Sequence, residues 1–149
     1  MPVELDVQYI VMEQKSLPVH EQLKLWANKA LQGDALAHIG IRIVDENESQ
    51  NLNHQYRGKN RSTNVLSFPV ELPDDLEESI LGDLVICAPV VEKEAAEQNK
   101  SSEEHWAHMV IHGVLHLHGF DHTTDEQADE MEALAIKYLE ELGYKDPYI

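Results

Sequence analysis

Four histidines fall within eleven residues near the end of the chain, in HGVLHLHGFDH from His112 to His122. The chain has nine histidines in all, so almost half of them are concentrated in this segment. Neutral imidazole is a preferred zinc ligand in proteins, in structural and in catalytic sites. The first question is therefore which of these rings could share one metal ion.

His112 and His116 are four residues apart, a spacing that places both side chains on one helix face about 6 Å apart. His108 has the same relation to His112, but it lies roughly 12 Å from His116 along a helix axis. Because zinc–nitrogen bonds are only about 2.0–2.1 Å long, His108 and His116 cannot easily share an ion. The spacing predicts one adjacent helical pair and a third ligand from elsewhere.

That third ligand is predicted to be His122. Gly119 can adopt the left-handed conformation that ends a helix, so the chain can turn back and bring His122 toward His112 and His116. The pattern His-x3-His-x2-Gly-x2-His then supplies three imidazoles and leaves a coordination position open, as in catalytic zinc sites. His118, about 160° around the helix from His116, should point away.

The remaining polar residues near the cluster have alternative interpretations. His105 and His108 are either exposed on the helix surface or support the ligands. Asp121 either holds the N–H of a ligating imidazole or is an ordinary turn or helix-capping aspartate. Histidines that hold no ion at all are the alternative to a zinc site.

Position 113 separates this motif from zinc peptidases with the same spacing. Metzincin peptidases read H-E-x-x-H-x-x-G-x-x-H, in which the glutamate is the general base. Here that position is Gly113, which cannot accept a proton. Glycine inside a helix costs about 1 kcal/mol relative to alanine, which indicates close approach by either a substrate or a packed neighbour. The sequence therefore disfavours peptidase chemistry.

A basic segment, RGKNR at 57–61, holds three of the eleven basic side chains in a chain of net charge −17. Guanidinium binds phosphate oxygens bidentately, and a metal site can hydrolyse a polarised phosphate ester. We therefore predict that Arg57, together with Lys59, neutralises charge that develops on a phosphate. A basic loop that pairs with nearby acids is the alternative.

The elements that must position these residues follow from periodicity. Alternating apolar and polar residues predict strands at 3–11, 37–45, 64–70 and 82–88. Helical spacing predicts one helix beginning at Ser16 or Pro18 and ending at Gly33, and others at 46–57, 89–99, 103–118 and 125–142. The fold class is α+β, a small mixed or antiparallel sheet of about four strands packed with helices, in a single domain over residues 1–149.

Composition narrows the class of protein. Hydrophobic residues make up 42% of the chain, yet no run approaches the ~20 residues of a membrane span, and the N-terminus lacks secretory-signal features. The single cysteine, Cys87, excludes intramolecular disulfides and is expected to be buried and inert. A cytoplasmic protein is predicted. The acidic charge argues against a general nucleic-acid coat but allows one small cationic site.

Three segments together resemble the YbeY family of bacterial metal-dependent endoribonucleases: HGVLHLHGFDH, NHQYRGKNRSTNVLSFP and LGDLVIC. The resemblance implies a zincin-like metal-binding helix over the sheet, a zinc ion on His112, His116 and His122, and an essential arginine at Arg57. It also implies hydrolysis of single-stranded RNA in ribosomal RNA maturation, especially at the 3′ end of the small-subunit RNA, and in ribosome quality control. The partners would be ribosomal RNA and the small subunit or its proteins, with no membrane involved.

The chain departs from the family pattern at one position. The family usually has Thr-Asp before Val-Leu-Ser-Phe, whereas this chain has Thr63 and Asn64, so an acid at that position is not essential here. With Gly113 in place of a base, zinc-bound water is the expected nucleophile. Ser67 and Asp83 are candidates either for orienting groups or for strand-end caps.

Two other functions are compatible with the residues. A zinc peptidase or amidohydrolase would need a distant acid in place of the missing glutamate. A non-catalytic ribosome assembly factor would use zinc only to fasten the final helices, and removal of the metal would then unfold the domain.

Overall fold

A computed structural model of the protein describes residues 4–11, 17–31, 38–57, 64–69, 80–117 and 124–147. Within these ranges the strands are β1 (Glu4–Ile10), β2 (His38–Val44), β3 (Val65–Pro69) and β4 (Ile80–Cys87). The helices are α1 (His20–Leu31), α2 (Glu46–Arg57), α3 (Ala88–Glu97), α4 (Ser102–Leu117) and α5 (Asp125–Glu141). The predicted α+β class is confirmed.

The strands form one mixed sheet in the order β1-β2-β4-β3. β1 and β4 each pair in parallel with β2, whereas β3 pairs antiparallel with β4 and lies at the edge. Of the two predicted arrangements, mixed and antiparallel, the mixed sheet is the correct one. Within the described residues, no helix is both long and apolar enough to cross a membrane.

Two elements begin two residues or more away from the predicted position. Helix α1 begins at His20 rather than at Ser16 or Pro18, and the side chain of Gln22 accepts a hydrogen bond from the Val19 N–H at this end. Strand β4 begins at Ile80, earlier than its alternation indicates. The cause is Gly82, whose φ of +139° accompanies a register shift in the pairing with β2, so the alternation becomes regular only beyond it.

The two faces of the sheet are covered differently. Ile41 of β2 and Leu84 of β4 belong to the main core, where they pack with residues of α1 and α4. The opposite face carries a smaller cluster of Val44, Leu66 and Val85 beneath α2. Since successive side chains of a strand point to opposite faces, neighbouring residues such as Leu84 and Val85 contribute to different clusters.

Beyond that smaller cluster, the same face carries an open groove of about 1350 Å³. Polar side chains line it, among them Gln8, Arg42 and Asp83. The Arg42 guanidinium donates to both carboxylate oxygens of Glu48 and to the side chain of Gln8. This groove therefore combines apolar lining with one solvent-accessible ion pair, Arg42–Glu48.

Helix α4, which carries the histidine cluster, is the most enclosed helix among the described residues. Eleven of its sixteen residues are buried. From His105 to Leu117, His112 and His116 alone retain partial exposure. The fold therefore fixes α4 on nearly all sides and leaves two imidazoles at its surface.

The chain's cysteine lies where β4 passes into α3. Cys87 is a free, fully buried thiol, as predicted. Its backbone N–H donates to the Asn64 carbonyl oxygen at 2.9 Å. Burial raises the pKa of the Cys87 thiol, which is consistent with an inert side chain.

Candidate metal centre

His112 and His116 lie side by side on α4. Their ring centroids are 4.8 Å apart with the planes at 69°, and both rings are half-buried. Two nitrogen ligands at this separation can reach one zinc ion from the same side. The described residues contain no group of three histidine, cysteine or acidic side chains arranged around an ion. The predicted third ligand, His122, lies outside the described residues, as do Gly119, His118 and Asp121.

Two further histidines continue the row along α4. The ring of His108 lies 6.2 Å from that of His112, and the ring of His105 lies 6.1 Å from that of His108. Both are buried, so their interpretation as exposed surface residues is wrong, whereas support for the ligands fits their place. Burial, aided by the neighbouring His112 and Lys100, lowers the pKa of His108 to about 3, so this ring stays neutral at physiological pH.

A polar network ties the start of β3 to α4. Glu94 of α3 accepts a hydrogen bond from the Asn64 side-chain amide at 3.1 Å, and the same carboxylate oxygen lies 2.9 Å from His105 Nε2. The Asn64 Oδ1 atom in turn accepts from the Val65 N–H at 2.7 Å. An aspartate at position 64 would place a second carboxylate beside Glu94, a repulsion that the Asn64 amide avoids.

Gly113 lies where helix α4 packs closely against the sheet. A Cβ atom at this position would lie 2.8 Å from Leu84 Cδ2 and 3.3 Å from Val65 Cγ2, closer than carbon atoms normally approach. The Ser67 hydroxyl lies 3.4 Å from the Gly113 carbonyl oxygen, at the same helix–sheet contact. Of the two explanations for this glycine, a packed neighbour is therefore the one that the structure supports.

The remaining predicted residues divide between the two faces. Ser67 contacts α4, on the same side as the histidines. Asp83 lines the open groove on the other face, opposite Gly40, and does not join them. Helix α2 ends at Arg57, as predicted, but the Arg57 side chain and all of Lys59 lie outside the described residues. Their roles stay predictions.

Sequence reasoning missed Glu94. It lies in a predicted helix eleven residues before His105 and thirty after Asn64, and no spacing rule links such positions. The departure at Asn64 was the one available signal, because an amide in place of an acid implies a neighbour that an acid would not tolerate.

Comparisons with known proteins identify the family to which the chain is similar. A family model described as "Endoribonuclease YbeY" matches residues 9–143. The protein "Endoribonuclease YbeY" of Pseudomonas savastanoi pv. phaseolicola (strain 1448A / Race 6) is 57% identical over 148 residues, which cover 98% of this chain and 88% of the relative. The solution structure of TM1509 from Thermotoga maritima superposes with a TM-score of 0.57 at 29% identity, over 91% of each chain.

The fold and these matches define the class of protein, which is an α+β hydrolase that cleaves RNA internally. The chain belongs to the YbeY family of endoribonucleases.

Proposed function

We propose that this protein is a zinc-dependent, single-strand-specific endoribonuclease. It acts in ribosomal RNA maturation, at the 3′ end of the small-subunit RNA, and in ribosome quality control in the cytoplasm. The observation that carries the zinc assignment is the pair His112 and His116, whose rings are 4.8 Å apart on a helix segment, 105–117, that is otherwise buried. Family membership supports the action on RNA.

His112, His116 and His122 hold the metal in this proposal. Bound zinc supplies Lewis-acid activation of water for attack on phosphorus. The enclosure of α4 fixes the two helical imidazoles before the metal arrives, which lowers the cost of ordering the ligands. The neutral His108 ring, next to His112, adds no positive charge beside the ion.

Arg57 and Lys59 neutralise charge on the phosphate as the phosphorus–oxygen bond breaks. Arg57 closes α2, and six residues lead from it to Asn64, which lines one cavity with His112. The basic segment is therefore close in sequence to a residue that lines the cavity beside His112. A guanidinium here binds two phosphate oxygens at once, whereas the Lys59 ammonium acts as a single charge.

The net charge of −17 repels RNA at long range, so a partner is expected to present the substrate. A basic protein of the ribosomal small subunit would be attracted to such an acidic surface. Peptidase chemistry is disfavoured by Gly113, since a side chain at that position would run into Leu84 and Val65.

The test uses purified protein and end-labelled single-stranded RNA, with zinc content measured in parallel. His116→Ala is expected to lose both the bound zinc and RNA cleavage. Arg57→Ala is expected to keep the zinc and lose roughly 10²–10³-fold in kcat, the usual effect of removing one transition-state donor. Lys59→Ala should lose less activity, because an ammonium group does not bind two phosphate oxygens at once as a guanidinium does.

His20→Ala is the matched control. His20 lies at the start of α1 and its ring bonds the Leu5 carbonyl oxygen of β1, at the sheet edge farthest from β3. This variant should keep zinc and activity. Equal cleavage by wild-type protein, His116→Ala and Arg57→Ala would contradict the proposal, because a contaminant would then be the enzyme.

Removal of zinc by a chelator distinguishes a catalytic role of the metal from a structural one. Chelation should abolish cleavage and leave the far-UV circular dichroism largely unchanged, since α4 is packed on most sides without the ion. Loss of the helical signal on chelation would favour the assembly factor instead.

A further inference from the structure

A cavity of about 360 Å³ lies beside His112, between the start of β3 and helices α4 and α5. Met109 and Met131 form apolar walls, while Asn64 and Glu132 contribute polar groups. This volume lies in the range of roughly 300–1,000 Å³ that small-ligand sites occupy. Thioether groups make favourable contacts with aromatic rings, so the walls suit a flat, aromatic ligand.

The Asn64 amide keeps part of its hydrogen-bonding capacity. Its Nδ2 atom donates to both oxygens of the Glu94 carboxylate, at 3.1 and 3.4 Å, and its Oδ1 atom accepts from the Val65 N–H. Because the two oxygens of one carboxylate lie in nearly the same direction from Nδ2, one N–H serves both, which leaves a second N–H and one acceptor lone pair without a partner among the described residues. An adjacent donor and acceptor form the edge that pairs bidentately with adenine.

The orientation of that amide is fixed from several elements. Glu94 of α3 holds Nδ2, and its carboxylate is held in turn by His105, which is 2% exposed within α4. The backbone carbonyl oxygen of Asn64 accepts from the Cys87 N–H at the end of β4, which anchors the residue that carries the amide. Such a network presents the amide in one orientation rather than as a mobile surface group.

We propose that this cavity binds the base of a nucleotide next to the scissile phosphate, and that Asn64 contacts the edge of that base. Glu94 is then a positioning residue that acts through Asn64. The inference rests on the proposed function, because an unpaired strand can place an unstacked base between protein side chains beside the histidines.

A carboxylate at position 64 should change which base is preferred. It offers two acceptors, which match the paired N–H groups of guanine and oppose the ring-nitrogen acceptor of adenine. Asn64→Asp alone would place a carboxylate oxygen about 3 Å from Glu94, close to the present 3.1 Å contact. The informative variant is therefore Asn64→Asp with Glu94→Gln, which keeps one acid and one amide in the pair.

The probes are single-stranded RNA oligomers that are identical except for adenine or guanine at the positions flanking the cleaved bond. Glu94→Gln alone keeps Asn64 but weakens the contact that positions its amide, so the preference for adenine should decrease without passing to guanine. The double variant should shift that ratio toward guanine by roughly tenfold, the discrimination of one bidentate base contact. Its zinc content should equal that of the wild type.

A second variant tests the cavity without disturbing the network. Ala128 is half-buried on α5 and lines the cavity, so Ala128→Trp should fill it and raise KM roughly tenfold with zinc content unchanged. Ala133 is exposed on the same helix, and Ala133→Trp is the matched control, expected to leave KM as in the wild type.

The outcomes distinguish the two proposals. An unchanged adenine-to-guanine ratio in the double variant, or equal KM values for Ala128→Trp and Ala133→Trp, would overturn the base subsite and leave the zinc nuclease intact. Wild-type protein that cleaves no single-stranded RNA would overturn both.

Discussion

The two faces of the sheet differ in how closely side chains pack on them and in how far solvent reaches them. On one face, Leu84 and its neighbours are fully buried against α1 and α4, and α4 carries the paired histidines. On the other face, α2 covers a small apolar cluster, and charged side chains line the groove beside it. The comparison teaches that the two proposed metal ligands of α4 lie on the helix whose position is most tightly determined by packing.

The largest difference in the free energy of unfolding is expected between substitutions at two neighbouring residues of β4, one on each face. Leu84 is 0% exposed in the main core, and Val85 is 6% exposed in the smaller cluster. Leu84→Ala should lower the free energy of unfolding by roughly 2–5 kcal/mol, because it removes buried methyl groups and leaves a cavity under α4. Val85→Ala removes fewer carbon atoms from the smaller cluster on the other face, and it should lower the free energy of unfolding by less than half as much.

Urea unfolding of both variants at one fixed zinc concentration measures this difference. Equal losses would break the comparison, because they would show that the α2 side is packed as firmly as the α4 side.

A smaller effect is expected at the contact between α4 and the sheet. Gly113→Ala inserts a methyl group 2.8 Å from Leu84 Cδ2, and overpacking of this kind costs roughly 1–3 kcal/mol. Alanine regains up to about 1 kcal/mol of helix propensity, so a net loss of about 1 kcal/mol is expected.

The propensity contribution can be measured separately with Ala133→Gly on the exposed side of α5. If Gly113→Ala unfolds at higher urea than the wild type, Leu84 has room to move and the tight contact is not what requires glycine.

The smallest effect is expected on the open face, at the Arg42–Glu48 ion pair. The hydrogen bond from Arg42 lowers the pKa of Glu48, so the pair stabilises the fold above the carboxyl's ordinary pKa and loses this contribution as pH falls through the lowered value. Both side chains are partly exposed and screened by solvent, so Glu48→Gln should cost at most about 1 kcal/mol at neutral pH.

Thermal unfolding between neutral and acidic pH checks this expectation, with Glu46→Gln as the control. Both residues lie in the first turn of α2, so the interaction with the helix dipole is similar in the two variants. A difference in melting temperature between the two variants that stays constant as the pH falls would contradict the role assigned to the Arg42–Glu48 ion pair.

Local patterns in the sequence predicted most of the elements. Helix α2 ends at Arg57 as predicted, and α5 ends just before Gly143, whose φ of +93° ends the helix as its position indicated. The pairing of His112 with His116 followed from helical geometry alone. These features depend on residues that are close in sequence, which is why periodicity detects them.

The remaining features depend on contacts between distant residues. The order of strands, with β4 between β2 and β3, has no local signature. The Asn64–Glu94–His105 network joins three elements, and the reason for Gly113 lies in Leu84, a residue of another strand. Such positions are determined by tertiary packing, which a single sequence does not display.

The buried thiol of Cys87 has a practical consequence. An alkylating reagent can reach it only when the junction between β4 and α3 opens, so the rate of modification reports the free energy of that opening. Because the Cys87 N–H bonds the Asn64 carbonyl, the same opening detaches the strand that borders the histidine helix. As the chain's single cysteine, it is a native reporter of local opening next to the proposed catalytic site.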